Sequence, residues 1–94
     1  MSNSSNFWYV YIIRDKLNRL YTGISNDVLK RYCAHKEGRG SKFLKGMQPI
    51  ELVYCSEPLG KIEAAQYEYK IKKLTKKTKE QIILNKTDIS QFFK

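Results

Sequence analysis

The sequence predicts one α+β domain, a small three-stranded antiparallel or mixed sheet flanked by helices in the order ββαβαα. Three observations predict it. Two runs of β-branched and aromatic residues are separated by a five-residue polar turn, Asp15-Lys16-Leu17-Asn18-Arg19, which reads as a hairpin. A cluster of good helix caps, Ser25-Asn26-Asp27, follows directly. A third strand-like run begins after Pro49 and gives way to apolar residues at helical spacing. A chain of 94 residues can bury one modest core and is too short for two.

Residues 7–14 are nearly all aromatic or aliphatic and read as a central strand. Alternation places Tyr9, Tyr11 and Ile13 on one face and Trp8, Val10 and Ile12 on the other. Residues 20–24 form the partner strand, with Tyr21 and Gly23 sharing a face. A hairpin centred near Lys16 sets Tyr11 roughly opposite Tyr21. The first helix runs from the cap cluster to Glu37, where Gly38 supplies a stop. A basic glycine loop, Gly38-Arg39-Gly40-Ser41-Lys42, leads towards the strand at residues 50–55. The second helix spans about residues 61–74, with Ala64, Tyr67, Ile71 and Leu74 as its inward stripe. Thr75 interrupts it and caps a short third helix ending near Leu84. Residues 1–6 are expected to be a flexible N-terminus and 7–84 the domain. Residues 85–94 form a tail with the character of a partner-binding peptide. No internal repeat is present.

The chain carries 18 Lys and Arg against 9 Asp and Glu, a formal charge of +9. A small domain this basic points to a polyanionic partner, nucleic acid first; the plainer alternative is that the lysines only confer solubility. No apolar run approaches a membrane span, and the polar start of the chain lacks a signal core. An intracellular location, in cytoplasm, nucleoid or nucleus, is therefore expected. Cys33 and Cys55 have no partners at zinc spacing and read as small buried or half-buried residues.

Several motifs then fall in a telling order. Tyr9-Val10-Tyr11 and Tyr21-Thr22-Gly23 are strand triplets one hairpin apart. Lys30-Arg31-Tyr32 with His35 follows on the first helix. Further on come the 38–42 loop, Ile50-Glu51-Leu52-Val53-Tyr54, Ala65-Gln66-Tyr67-Glu68 and Ile71-Lys72-Lys73-Leu74. This ordered set, over residues 7–84, resembles the GIY-YIG nuclease superfamily, in particular its small stand-alone, single-domain branch, which is related to the N-terminal catalytic module of an excinuclease. Two departures stand out. Tyr9 replaces the glycine of the first triplet and Thr22 the isoleucine of the second, leaving both tyrosine hydroxyls and Gly23 in place. Asn85 is poorly spaced for the asparagine that many members carry after the metal-ligand helix, and no role is assigned to it.

The resemblance implies a Mg²⁺- or Mn²⁺-dependent endonuclease that hydrolyses DNA phosphodiesters by direct attack of water. Its catalytic set would be Tyr11, Tyr21, Arg31, His35 and Glu68. Phosphodiester hydrolysis needs an activated water, neutralised phosphate charge and a stabilised leaving oxygen. Glu68 would hold the cation, which keeps most of its own waters; the plainer reading is a solvated carboxylate paired with Lys72. Glu63, one turn earlier, is the rival carboxylate. Arg31 would fork onto phosphate oxygens, or else pair locally with Asp27. His35, the one histidine, would relay a proton or place the water. Tyr21 is the expected general base, its phenol drawn down by a nearby cation, with Tyr11 orienting water or phosphate. Gly23 would let substrate approach closely.

Lys42, Lys72, Lys73 and Lys76, with Lys70, Lys77 and Lys79, are expected along the nucleic-acid backbone, giving affinity without sequence choice. The substrate is expected to be structured or single-stranded DNA in repair or recombination, with RNA open. Ile89, Phe92 and Phe93 resemble the plug of a sliding-clamp-binding peptide; alternatively the two phenylalanines pack back on the domain. Two other functions remain open: a non-catalytic nucleic-acid-binding module with the nuclease fold, and a nuclease subunit that needs a partner.

Overall fold

The computed structural model describes residues 6–36 and 51–94, with the side chains of His35 and Lys36 outside that description. The expected glycine loop and most of the N-terminal segment also lie outside the described residues. The elements are β1 (Tyr9–Arg14), β2 (Leu20–Ser25), α1 (Val28–Lys36), β3 (Glu51–Cys55), α2 (Lys61–Lys72), α3 (Lys76–Asn85) and α4 (Ile89–Phe92). The strands form one sheet in the order β2-β1-β3, antiparallel throughout. The α+β architecture expected from the sequence is therefore present, with β1 at its centre.

Why β1 takes the centre is visible in its composition. Val10, Ile12 and Ile13 have essentially no exposed surface, so both of its faces are covered. Val10 and Ile12 meet Tyr54, Leu59, Ala64, Ile71, Ile82 and Ile89 in the larger core. Tyr11 and Ile13 meet Tyr21, Val28, Tyr32 and Leu52 in the smaller one. Helices α2, α3 and α4 thus line one layer and α1 the other.

The hairpin closes at Arg14 opposite Leu20, which sets Tyr11 opposite Gly23 and Tyr21 opposite Ile13. The turn is centred on Leu17 rather than Lys16, so the expected Tyr11–Tyr21 pairing shifts to a diagonal one. Both phenols still leave the same face, because each strand alternates from this register. Asn18 adopts a left-handed conformation (φ 67°), as asparagine in a tight loop can. On the other side of β1, β3 carries a bulge: Ile12 faces Tyr54, but Ile13 faces Leu52, leaving Val53 as the extra residue. Beyond β3, Ser56 Oγ accepts the Val10 N–H at 2.9 Å, and Trp8 and Leu59 exchange backbone hydrogen bonds of 2.7 and 2.8 Å.

Helix starts follow the sequence signals. The Asp27 carboxylate accepts the Lys30 N–H at 3.1 Å, and Thr75 Oγ1 accepts the Thr78 N–H at 3.2 Å. Glu63, the rival carboxylate, accepts the Gly60 N–H at 3.3 Å and so closes the start of α2. Arg14 forks onto Glu80 with contacts of 2.6 and 2.8 Å, and Lys76 adds a third at 2.7 Å, fastening α3 to the hairpin.

One expectation is corrected here. Cys33 and Cys55 are exposed free thiols, not buried residues. The C-terminal segment packs against the domain. Ile89 is 0% exposed in the main core, and Phe93 stacks on Tyr67 with ring centroids 5.8 Å apart. Of the three residues proposed as a clamp plug, Phe92 alone is exposed. The Tyr54 hydroxyl donates to the Thr87 carbonyl at 2.7 Å, and burial pushes its pKa up to about 12. Ile89 and Phe93 thus pack on the domain itself, the latter as the alternative reading of the tail has it, while Phe92 faces outward.

Candidate active site

The site begins with the phenols. Tyr11 projects from the centre of β1 and is 5% exposed, with its ring over Gly23 of β2. The missing side chain at position 23 therefore makes room for the Tyr11 ring. Tyr21, diagonal to Tyr11 on the same face, is half-buried. Val28 and Tyr32 of α1 cover this tyrosine layer.

Tyr21 donates its hydroxyl to Asp15 Oδ2 at 3.0 Å. Burial, that hydrogen bond and the charge of Asp15 push the phenol pKa up, against a smaller opposing pull from Arg19. Asp15 itself is a hub at the first position of the hairpin loop. Its Oδ1 accepts the N–H groups of Leu17 and Arg19 at 2.8 and 2.9 Å, and Oδ2 accepts Arg19 Nε at 2.9 Å. Burial works against its charge, but these donors together prevail and its pKa is lowered. From sequence, Asp15 is only part of a polar turn. An aspartate opening a hairpin loop four residues before an arginine is the signal that was available, since such a carboxylate readily accepts loop N–H groups.

Arg31 is exposed on α1, the helix that covers the tyrosine layer. His35 belongs to the same helix one turn on, with its side chain outside the described residues. Glu68 comes from α2, beside the buried stripe of Ala64 and Ile71, which pack against Val10 and Ile12. Its side chain is 24% exposed and pairs with Lys72 Nζ at 3.2 Å. The phenols and the carboxylate thus start from opposite layers of the sheet. β2 is the strand that both α1 and α2 pack against, and among the described residues it pairs only with β1. Tyr11 and Tyr21 share one face of the sheet, and the helix that carries Glu68 packs on the other.

The GIY-YIG catalytic domain model matches residues 7–81. The chain belongs to the GIY-YIG family. A UPF0213 protein of Cronobacter sakazakii is 45% identical over 76 residues, 81% of this chain and 80% of that one. GIY-YIG domain-containing protein 242L of invertebrate iridescent virus 6 is 47% identical over 89 residues, 93% of this chain and 90% of its own. The solution NMR structure of the UPF0213 protein BH0048 from Bacillus halodurans is similar with a TM-score of 0.55 and 37% identity, covering 85% of each chain. The sheet and its helices are the fold shared with this structure, and a GIY-YIG catalytic domain implies nuclease activity.

For a divalent cation, the described residues of this GIY-YIG domain hold no group of three or more His, Cys, Asp or Glu that could bind a metal. One half-buried carboxylate on Glu68 fits a hard cation that retains most of its waters and shares a substrate phosphate.

The lysines expected along nucleic acid are differently engaged. Lys72 pairs with Glu68, and Lys73 lies 4.5 Å above the Tyr69 ring. Lys76 is committed to Glu80. Lys42 lies outside the described residues. No helix among the described residues is long and apolar enough to cross a membrane.

Proposed function

We propose that the protein is a divalent-metal-dependent endonuclease acting on DNA, with its site assembled around the outer edge of β2. The observation that carries this reading is that Tyr11 and Tyr21 leave one face of the hairpin beneath the helix that bears Arg31. Glu68 would hold Mg²⁺ or Mn²⁺, and the bound cation would supply charge neutralisation on the phosphate and lower the pKa of nearby water. Arg31 forks onto phosphate oxygens and stabilises charge as the P–O bond breaks. Tyr21 accepts a hydrogen bond from the attacking water and holds it for attack, Tyr11 orients water or phosphate, and His35 relays the water's proton or places the water. Gly23 contributes by seating the Tyr11 ring. Lys42, Lys72 and Lys73 meet the nucleic-acid backbone, with Lys76 at the rim. A place in repair or recombination suits a small domain that grips backbone and reads structure rather than sequence.

One observation favours a second reading. Glu68 is paired with Lys72 and sits in the layer opposite the phenols, as it would in a non-catalytic binding module or in a subunit completed by a partner. The deciding experiment is cleavage of branched, nicked and single-stranded DNA, and of matched RNA, with Mg²⁺ or Mn²⁺ and with chelator. Wild type should cut only with metal, and Glu68→Gln should bind equally well yet not cut. Binding without cutting on every substrate and with either metal would overturn the enzymatic reading in favour of the module.

A further inference from the structure

We propose that Asp15 is a positioning residue for the Tyr21 phenol: it draws the hydroxyl proton into the hairpin loop, so that the phenol oxygen meets any further partner as a hydrogen-bond acceptor. This deepens the nuclease reading and rests on it. The Asp15 side chain has no exposed surface, and its two oxygens accept four hydrogen bonds of 2.8 to 3.0 Å from Leu17, Arg19 and Tyr21. An ionised carboxylate has no proton to give, and a phenol has only one. The direction of the Tyr21–Asp15 hydrogen bond is therefore fixed by chemistry as well as by distance. A phosphate oxygen, which also lacks a proton, gains nothing at the Tyr21 oxygen. A water does, because it can donate. The structure thus assigns Tyr21 to the attacking water rather than to the phosphate.

The surroundings agree. Asp15 and Arg19 are among the charged groups whose fields act on Tyr21, and the phenols of Tyr11 and Tyr32 share its layer. Burial and the Asp15 carboxylate both favour the protonated phenol, so the hydroxyl proton remains in place at neutral pH. An aspartate buried for loop structure alone has no need of the Tyr21 bond, since Leu17 and Arg19 already supply three donors.

The test uses the full chain with ¹³C-labelled tyrosine, following the Tyr21 Cζ resonance through a pH titration. In wild type it should titrate above the ordinary value of about 10. In Asp15→Asn an amide N–H replaces one acceptor, and the midpoint should fall by about one unit or more. Turnover on the cleaved substrate should fall about tenfold or more with KM and DNA affinity unchanged. In a Tyr21→Phe background the same substitution should cost nothing further. A wild-type phenol titrating at or below about 10 overturns the proposal even if Asp15→Asn does not fold. So does an unmoved midpoint, an unchanged turnover, or an equal loss in both backgrounds, which would mark a purely structural role. A wild type that cuts nothing overturns the nuclease reading and the catalytic half of this proposal, while the titration alone still shows whether Asp15 holds the proton.

Discussion

The ring of Tyr11 occupies the space that a side chain at Gly23 would fill: a Cβ there would stand 2.6 Å from the phenol oxygen and 2.7 Å from Cζ. An aromatic ring lying across a strand glycine restores packing that the glycine forfeits. It also fixes where the phenol sits.

Gly23→Ala should therefore act through Tyr11. The ring is buried, so it cannot swing clear without disturbing Ile13, Val28 and Tyr32. Overpacking of this kind costs about 1–3 kcal/mol, a fall of several degrees in Tm for a domain this small. Cleavage should drop further than stability alone explains. Thermal denaturation alongside cleavage at a temperature where the variant is folded separates the two, and unchanged melting with full activity would contradict the packing role.

Acid should loosen α3 first. The Arg14 hydrogen bonds, helped by Lys76, hold the Glu80 carboxyl at about 2. Its unfolded value is about 4.3, so the folded pKa is the lower one. The stabilisation is complete above the unfolded value and is lost as pH falls from there through the folded one. Glu80→Gln should cost about 1–2 kcal/mol at pH 7, and the gap to wild type should close towards pH 2. Urea denaturation at a series of pH values measures it.

Shortening the C-terminus should damage the fold. Ile89→Ala removes a fully buried side chain and should cost about 2–4 kcal/mol. Phe92→Ala should cost far less, since Phe92 is exposed and meets Phe93 edge-on. Ending the chain after Asn85 also strips the Tyr54 hydroxyl of its Thr87 acceptor. Chemical denaturation of the three variants orders them, and an unfolding curve unchanged by the truncation would show the segment to be dispensable.

The lysines should divide by what already holds them. Lys73→Ala should weaken DNA binding evenly across sequences and reduce the salt slope by about one, and Lys72→Ala, whose ammonium already meets Glu68 at 3.2 Å, should reduce it by less. Lys76→Ala should change the slope less and stability more, because its ammonium already serves Glu80 at 2.7 Å. Binding titrations at several salt concentrations read both effects.

What the sequence made legible was whatever depends on local pattern. Alternation along β1, the caps at Asp27 and Thr75, and the stripe through Ala64 and Ile71 each express a rule acting within a few residues. The tyrosine face was readable for the same reason. The relations that escaped are set by one-residue offsets or by long-range contacts. A hairpin centre displaced from Lys16 to Leu17 moved Tyr11 from Tyr21 to Gly23. Burial of Ile89 depends on Tyr54, Ile82 and their neighbours arriving from elsewhere in the chain. Asp15 was hidden because a turn aspartate looks the same whether it faces water or four donors. That α2 takes the layer opposite the tyrosines is a matter of topology, which the spacing of Glu68 along its helix does not encode.

The bulge at Val53 has a consequence for chain length. Without that residue, Tyr54 and Leu52 would still stand opposite Ile12 and Ile13 in unbroken succession. β3 could thus lose one amino acid and keep every neighbouring side chain on its present side. The same deletion within β1 would exchange the inside and outside of half the strand, sending isoleucines where tyrosine belongs. The tolerance of this small protein to insertion and loss is therefore lopsided, generous at its border and nil along its axis.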